Sequence, residues 1–209
     1  MRTITRTGEM RLDKRVRFKK NVSSVGLVEI DIYLEMNAWA ADSVIQIELK
    51  IHQESHMQRE NMVVAMTDIM ANFTSYLGKH LPDDIMEKLG QLRSAEEKPL
   101  AKVVYDSMFE NLAKADALNR PCCQDTGVIQ FFIKAGADFP LLSDVRKILD
   151  EAVRRATQTA PLRHNAVEIF KEKNTGNNTG ERIPWIDWDI VPDDSSIYLD
   201  VYMAAVSYT

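Results

Sequence analysis

Three polar clusters in this sequence combine residue types that could do chemistry. The first is the run RPCCQDTG at residues 120–127, with a thiol, an amide, a carboxylate and a hydroxyl in four consecutive residues. Such groups could serve as a metal ligand, a substrate hydrogen-bond donor and a general base. The run is also typical of a capped turn, because Asp125 and Thr126 readily bond to backbone groups and Gly127 frees the backbone. Two adjacent cysteines are poorly placed to chelate one ion together, so we expect at most one to be a ligand.

The second and third clusters are each ambiguous when taken alone. Arg163, in the run APLRHN at 160–165, could clamp a carboxylate through its planar guanidinium, and His164 could titrate near neutral pH. A surface arginine and a half-buried histidine are the simpler interpretation. The run NTGNNTG at 174–180 resembles a phosphate-binding loop only loosely. It lacks the spacing GxxxxGK[ST] of a P-loop, so alone it indicates a turn.

Helices must hold the first of these clusters from its N-terminal side. Apolar residues recur every three or four positions through residues 62–118, which predicts helices with one apolar face each. The first ends near Gly78, the second begins at Pro82, and the third runs from about Pro99 to Leu118. We expect the second helix to continue a core face with Ile85, Leu89 and Leu92. In the third helix, apolar residues recur at four-residue spacing: Leu100, Val104, Met108 and Leu112.

After the first cluster the hydrophobic pattern changes from helical to strand-like. Residues 128–133 form a nearly continuous apolar run, which predicts a buried strand, and Ser143 is placed to cap a further helix. Residues 186–190 and 197–203 alternate cleanly across a turn, which predicts an antiparallel pair. Helices followed by strands indicate an α+β fold, an N-terminal helical layer followed by a mixed, largely antiparallel sheet region.

Composition limits the class of protein. The 209 residues carry 26 Lys and Arg against 31 Asp and Glu, and this mild acidity argues against a nucleic-acid partner. No apolar run approaches the roughly 18–20 residues that span a bilayer, so no membrane partner is expected. The two cysteines are adjacent and cannot form a disulfide framework, which indicates a reducing compartment such as the cytoplasm.

The N-terminal segment differs in charge from the rest of the chain. Residues 1–20 carry eight Lys and Arg against two acidic residues, and a composition break falls near Met57. We therefore predict a poorly ordered or unrelated extension at residues 1–56, with the domain at 57–209. Sequence translated upstream of a start at Met57 is one form of this extension, and a transit peptide is the alternative. Strand-like alternation at residues 43–51 indicates pairing with another strand.

Taken in order, the clusters resemble one enzyme family. The runs RPCCQDTG, APLRHNAVEIF, NTGNNTG and IPWIDWDIVPDD are similar to the α part of the oxygen-sensitive iron–sulfur hydro-lyases, which comprise class I fumarases and the α subunit of L(+)-tartrate dehydratase. The resemblance covers roughly residues 66–204 and is closest to the tartrate dehydratase members. It implies an α+β fold and a [4Fe–4S] cluster held by three cysteines, with one iron open.

The resemblance also assigns roles to individual residues. Cys123 matches the first cluster ligand, whereas Cys122 stands where the family has a small residue and receives no role. Gln124 and Asp125 match substrate-contacting residues, with Asp125 as the catalytic group near the proton transfer. Arg163 matches an arginine that grips a substrate carboxylate. We therefore expect these four residues to approach one another at one edge of the domain, with the loop at 174–180 bordering the same edge.

The implied activity is hydro-lyase chemistry, the addition or removal of water on a small hydroxy-dicarboxylate of the tartrate or fumarate/malate type. The implied partner is a β subunit or a C-terminal β domain. In the family, a glycine-rich turn and two more cluster cysteines follow the position of Ala204, whereas here the chain continues only through residues 205–209. We therefore expect a fragment of an α subunit that lacks two of three cluster ligands and is inactive alone. The alternative is a non-catalytic remnant or interaction module. An unrelated thiol protein is disfavoured, because the neighbouring polar residues would then be coincidental.

Overall fold

The chain folds as an α+β protein, as the sequence predicts. The computed structural model describes residues 2–4, 10–22, 26–39, 42–51, 59–123, 127–168 and 170–204. The helices are α1 (Arg59–Lys79), α2 (Asp83–Ala95), α3 (Pro99–Ala117) and α4 (Val145–Thr159). The strands are β1 (Arg2–Ile4), β2 (Met10–Val22), β3 (Gly26–Trp39), β4 (Asp42–Ile51), β5 (Val128–Gly136), β6 (Val167–Glu168), β7 (Lys173–Asn174), β8 (Trp185–Val191) and β9 (Ile197–Ala204).

The main sheet is mixed, with strand order β1-β2-β3-β4-β9-β5-β8. All its neighbouring strands are antiparallel except β5 and β8, which are parallel. The predicted direct pairing of β8 with β9 is wrong, because β5 lies between them. The turn after β8 passes across the end of β5, where Gly136 donates its N–H to the Ser196 carbonyl at 2.8 Å. A Cβ on Gly136 would overlap the carbonyl of Asp194, so glycine permits this crossing.

One face of β5 and β9 carries the core. In β5, Ile129, Phe131, Ile133 and Ala135 are buried while the alternate residues Phe132 and Lys134 are exposed. The strand is therefore buried on one face only, whereas its apolar run predicted a buried strand. In β9, the buried residues are Ile197, Leu199 and Val201.

Helices α1 and α4 cover that face. They contribute Met62, Met66, Met70 and Phe73 from α1, and Val145, Ile148, Leu149, Ala152, Val153 and Ala156 from α4. At the start of α1, the Arg59 guanidinium donates to Asp144 Oδ2 at 2.8 Å and to Ser143 Oγ at 2.6 Å. The predicted Ser143 cap is thus wrong. A 3₁₀ turn at Leu142–Asp144 precedes α4, and the Ser143 hydroxyl accepts from Arg59 instead.

Helices α2 and α3 form a hairpin outside this core. Within the described residues, α2 has no buried side chain and α3 has only Ala115. The prediction that Leu92 of α2 lies on a core face is wrong, since Leu92 is exposed. In α3, Leu100 is 79% exposed, and Val104 and Met108 are also exposed. An ion pair between Arg93 and Asp106 joins the two helices.

The strands before residue 52 extend the sheet beyond β9. Strand β4 pairs antiparallel with β9, with Ile47 opposite Leu199, so the alternation at 43–51 does mark a paired strand. Strands β1 to β3 continue the sheet by antiparallel pairing. The division into an extension at 1–56 and a domain at 57–209 stays a prediction. None of the helices in the described ranges has the length and apolar character to cross a membrane.

Candidate functional site

The predicted site residues differ in how the structure presents them. Gln124 and Asp125, predicted to contact substrate, lie outside the described residues, as does Thr126. Cys123 immediately precedes this gap and is exposed, and Arg163, forty residues further along, is exposed as well. The backbone on both sides of the gap is described, so the position of the first cluster can be followed through its two ends.

The N-terminal end of the first cluster is fixed by α1 and α3. The Cys122 N–H donates to the Gly78 carbonyl at 3.0 Å, and its carbonyl accepts from Asn111 Nδ2 at 2.9 Å. Helix α3 closes with the Arg120 N–H donating to the Ala115 carbonyl at 2.8 Å. Both peptide groups of Cys122 are therefore satisfied by neighbouring helices, and the Cys123 side chain projects from an anchored backbone.

The linker from α3 to this cluster is held by an asparagine. Asn119 adopts a φ of 53°, in the left-handed region that asparagine tolerates better than most residues. Its Oδ1 accepts from Lys79 Nζ at 3.0 Å, and its Nδ2 donates to the Thr159 carbonyl at 3.2 Å. The ends of α1 and α4 are thus tied to the entry of the cluster.

The two thiols differ in their chemistry. Cys122 is half-buried, and burial raises its pKa, with a further rise from the neighbouring Cys123 thiol. Cys123 is exposed. Metals are bound by the thiolate, so burial disfavours Cys122 as a ligand. This difference supports the choice of Cys123 as the ligand, which remains a prediction.

The second cluster meets the first at Gly78. Leu162, directly before Arg163, is buried against α1, and a Cβ on Gly78 would lie 2.6 Å from Leu162 Cδ2. The same glycine accepts the Cys122 N–H. The absent side chain at this helical position therefore lets the second cluster approach the end of α1, where the first cluster is held by the Gly78 backbone.

A second contact joins the far end of the first cluster to the second. Asn165 Nδ2 donates to the Gly127 carbonyl at 3.1 Å. Gly127 is buried with a φ of 70°, a conformation that favours glycine. The structure thus brings together the segments that carry Cys123 and Arg163. The approach of their side chains to one another, and to Gln124 and Asp125, stays a prediction.

The third cluster contains a buried asparagine whose role sequence reasoning missed. The run at 174–180 alone indicated a turn, yet it lies against residues 163–166 and contributes the buried side chain of Asn178. Thr175 also donates its N–H to the Ala166 carbonyl at 2.9 Å. The only available signal was the concentration of asparagines, since their amides can bond to irregular backbone.

The residues present do not form a complete site for a [4Fe–4S] cluster. In the described ranges, no three His, Cys, Asp or Glu side chains come together as a metal site. Clusters of this kind are held by cysteine thiolates, and the chain contains only the adjacent pair Cys122 and Cys123. Adjacent cysteines are poorly placed to bind one metal group together, so this pair offers at most one ligand to such a cluster.

Comparison with known proteins places these clusters in a family. A family model described as fumarate hydratase (Fumerase) matches residues 67–206. The L(+)-tartrate dehydratase subunit alpha of Escherichia coli strain K12 is 51% identical over 150 residues, which cover 72% of this chain and 50% of that protein. A putative L(+)-tartrate dehydratase subunit alpha from Methanocaldococcus jannaschii is 30% identical over 125 residues, covering 58% of this chain and 44% of its own length.

The extent of these matches decides what they show. The chain spans about half the length of the Escherichia coli relative. The family match includes all three polar clusters and covers about two thirds of the chain. On that basis, the chain belongs to the fumarate hydratase (Fumerase) family.

Proposed function

We propose that this chain forms part of the α subunit of a hydro-lyase that adds or removes water on a small hydroxy-dicarboxylate. The observation that carries this proposal is the meeting of the first and second clusters, at Gly78 and through the bond from Asn165 to Gly127. The names of the relatives, L(+)-tartrate dehydratase subunit alpha, favour a tartrate-type substrate over fumarate or malate.

Each site residue has a role in this proposal. Arg163 is exposed and forms no salt bridge with the described acidic residues, so its guanidinium is free to hold one substrate carboxylate in bidentate fashion. Gln124 and Asp125 contact the substrate, and Asp125 moves the proton. Elimination of water requires loss of a weakly acidic C–H proton, which a fixed substrate and a positioned acid/base group make feasible near neutral pH.

The proposal includes partners, because this chain cannot complete the site. Cys123 supplies one ligand of a [4Fe–4S] cluster, and the other ligands come from outside the 209 residues. A partner β subunit or β domain follows from relatives that are named alpha subunits. By itself the chain is therefore inactive. Its adjacent free cysteines fit a reducing compartment, the cytoplasm.

A second candidate function is a non-catalytic interaction module. The observation in its favour is the hairpin of α2 and α3, whose apolar side chains Leu100, Val103 and Val104 are more than half exposed. Apolar residues grouped on a surface mark sites of protein association. This module would keep the fold and carry no chemistry.

Anaerobic reconstitution separates the two functions. The purified chain is incubated with iron and sulfide, alone and together with the C-terminal half of a matched α subunit and its β subunit, and then assayed by absorbance and by tartrate and fumarate turnover. We expect no stable cluster and no turnover from the chain alone, and both in the complemented mixture. Cys123→Ser abolishes both there, while Cys122→Ser retains them. Turnover by the chain alone contradicts the proposed inactivity, and an inert complemented mixture supports the module.

A further inference from the structure

The carboxamide of Asn178 is buried and uses its full hydrogen-bonding capacity. The residue is only 5% exposed. Its Oδ1 accepts the N–H of Asn165 at 2.8 Å and, more weakly, that of Ala166 at 3.4 Å. Its Nδ2 donates to Thr157 Oγ1 at 3.2 Å and to the Arg163 carbonyl at 2.9 Å. An asparagine side chain has two donor hydrogens and two acceptor lone pairs, and all four are engaged.

These bonds hold the backbone on the C-terminal side of Arg163, the residue proposed to hold substrate. One bond takes the carbonyl of Arg163 and another takes the N–H two residues later, in a segment without helix or strand. Irregular backbone needs partners from side chains or water, and here they come from Asn178. The Arg163 side chain remains exposed. The amide thus fixes the backbone of Arg163 and leaves its guanidinium available to a ligand.

The same network reaches the first cluster. Asn165, whose N–H is held by Asn178, donates through its own side chain to the Gly127 carbonyl at 3.1 Å. On the other side, Thr157 Oγ1 accepts from Asn178 and donates to the Val153 carbonyl at 2.8 Å, which anchors the network in α4. A continuous chain of bonds therefore links α4, Arg163 and the residue that follows positions 124–126.

We propose that Asn178 is a positioning residue that sets the placement of Arg163 relative to the first cluster. This inference rests on the proposed function, in which Arg163 holds a substrate carboxylate. The backbone of Asn178 has a φ of 57°, which asparagine and aspartate both tolerate. Asn178→Asp therefore preserves shape and backbone, replaces the two donors with an acceptor oxygen and adds a negative charge. The new carboxylate oxygen then lies against the Arg163 carbonyl oxygen, and the two oxygens repel each other.

The matched control is Asn177→Asp. Asn177 Oδ1 accepts from the Thr179 N–H at 3.0 Å and from its hydroxyl at 2.9 Å, and aspartate keeps both acceptors. The control adds the same negative charge one residue away, so it reports the general effect of that charge on anion binding. The difference between the two variants isolates the lost donors.

The test follows the Nε–H resonance of Arg163 by NMR in the 209-residue chain during titration with L(+)-tartrate. We expect Asn178→Asp to weaken binding about tenfold relative to Asn177→Asp, as for loss of buried hydrogen bonds. The melting temperature of each variant is measured in parallel, because a purely structural role lowers it without changing the affinity of the folded protein. Equal affinities in the two variants overturn the inference.

Three further variants distinguish failure of the positioning role from failure of the proposed function. Arg163→Gln abolishes the tartrate response, followed by the Gly127 amide resonance, if the proposed function holds. Unchanged binding in Arg163→Gln refutes that function, whereas its loss beside a normal Asn178→Asp refutes only the positioning role. If Asn178→Asp does not fold, Thr157→Val removes the acceptor for one donor and is expected to weaken binding about threefold, with Thr157→Ser restoring it. Equal affinities for the Val and Ser variants then overturn the inference.

Discussion

Two pairs of helices in this molecule have the same kind of apolar spacing, but only one pair buries its apolar faces. Helices α1 and α4 bury their apolar faces on β5 and β9, where Met70, Leu149 and Phe131 are fully enclosed. Helices α2 and α3 have equally regular apolar spacing, yet Leu100 and Val104 face outward. Periodicity reports which face of a helix is apolar, but the layer that covers that face depends on tertiary structure.

The largest contrast is expected from truncating one apolar side chain in each region. Phe131→Ala removes a fully buried ring from β5 and should lower the free energy of unfolding by about 3–5 kcal/mol. Leu100→Ala in α3 should change it by less than about 0.5 kcal/mol, because the side chain is exposed and alanine favours a helix. Urea denaturation followed by circular dichroism measures both. Similar losses would mean that the hairpin is covered in solution.

Amide hydrogen exchange should separate the two regions next. Helix α4 is enclosed by α1 and the sheet, so its central amides are expected to exchange only through global unfolding. The amides of α2 and α3 should exchange at least about 100-fold faster, because little buried apolar surface opposes their local opening. Equal protection in α3 and α4 would contradict the described separation.

Replacing glycine by alanine should change the stability of the protein in opposite directions in the two regions. Gly78→Ala places a Cβ 2.6 Å from Leu162 Cδ2 and should destabilise the protein by about 1–3 kcal/mol. Gly90→Ala in α2 meets no neighbouring atom within 4 Å and should stabilise it by about 0.5–1 kcal/mol, since alanine replaces glycine inside a helix. Thermal melts of the two variants give the comparison. Stabilisation by Gly78→Ala would show that Leu162 moves aside freely.

The smallest effect is expected from the two ion pairs of Arg155 in α4, one within that helix and one to α1. Arg155 bonds to Asp68 at 2.9 Å and to Glu151 at 2.8 Å, and the Arg155 bond lowers the pKa of Glu151 from its ordinary value of 4.5. A lowered pKa in the folded state means that this stabilisation is present above pH 4.5 and is lost as the pH falls through the folded value. The Arg155 and Glu151 side chains are more than a third exposed, and Asp68 is 27% exposed, so we expect only about 0.5 kcal/mol.

The control for this effect is Arg155→Gln. That variant should lose the wild-type advantage at pH 7 and match the wild type at low pH, where the glutamate is protonated in both. High salt should shrink the difference, because partly exposed charges are screened. A difference that persists at low pH and in high salt would assign it to packing of the arginine stem instead.

The sequence predicted the helices and strands well, but it predicted less well which strands pair with one another. All four helices and the strands β5, β8 and β9 follow from local periodicity and from Gly and Pro signals, which are encoded within each segment. The insertion of β5 between β8 and β9 depends on a close approach of Gly136 to the Asp194 carbonyl. Such a contact joins residues far apart in the chain, so no local sequence pattern predicts it.

For the candidate site, too, the sequence predicted the residues but not the contacts that bring them together. Cys123 and Arg163 could be selected as candidates from residue type and from resemblance, because that choice needs no geometry. The contacts that bring their segments together are a backbone bond to Gly78 and two asparagine amides, from Asn165 and Asn178. Asparagines in a polar loop are typical of turns, so their role as buried connectors could not be separated from that ordinary use.

The central place of β9 has a consequence for the order of folding. Phe131 in β5 lies opposite Val201 in β9, so the two strands leave the ribosome far apart in time. Until β9 arrives, the methionines of α1 and the apolar face of β5 are enclosed only in part. Pairings between distant segments form slowly, and the waiting surface is open to self-association. The arrival of β9 therefore covers apolar surface on β5 and α1 that would otherwise be open to self-association.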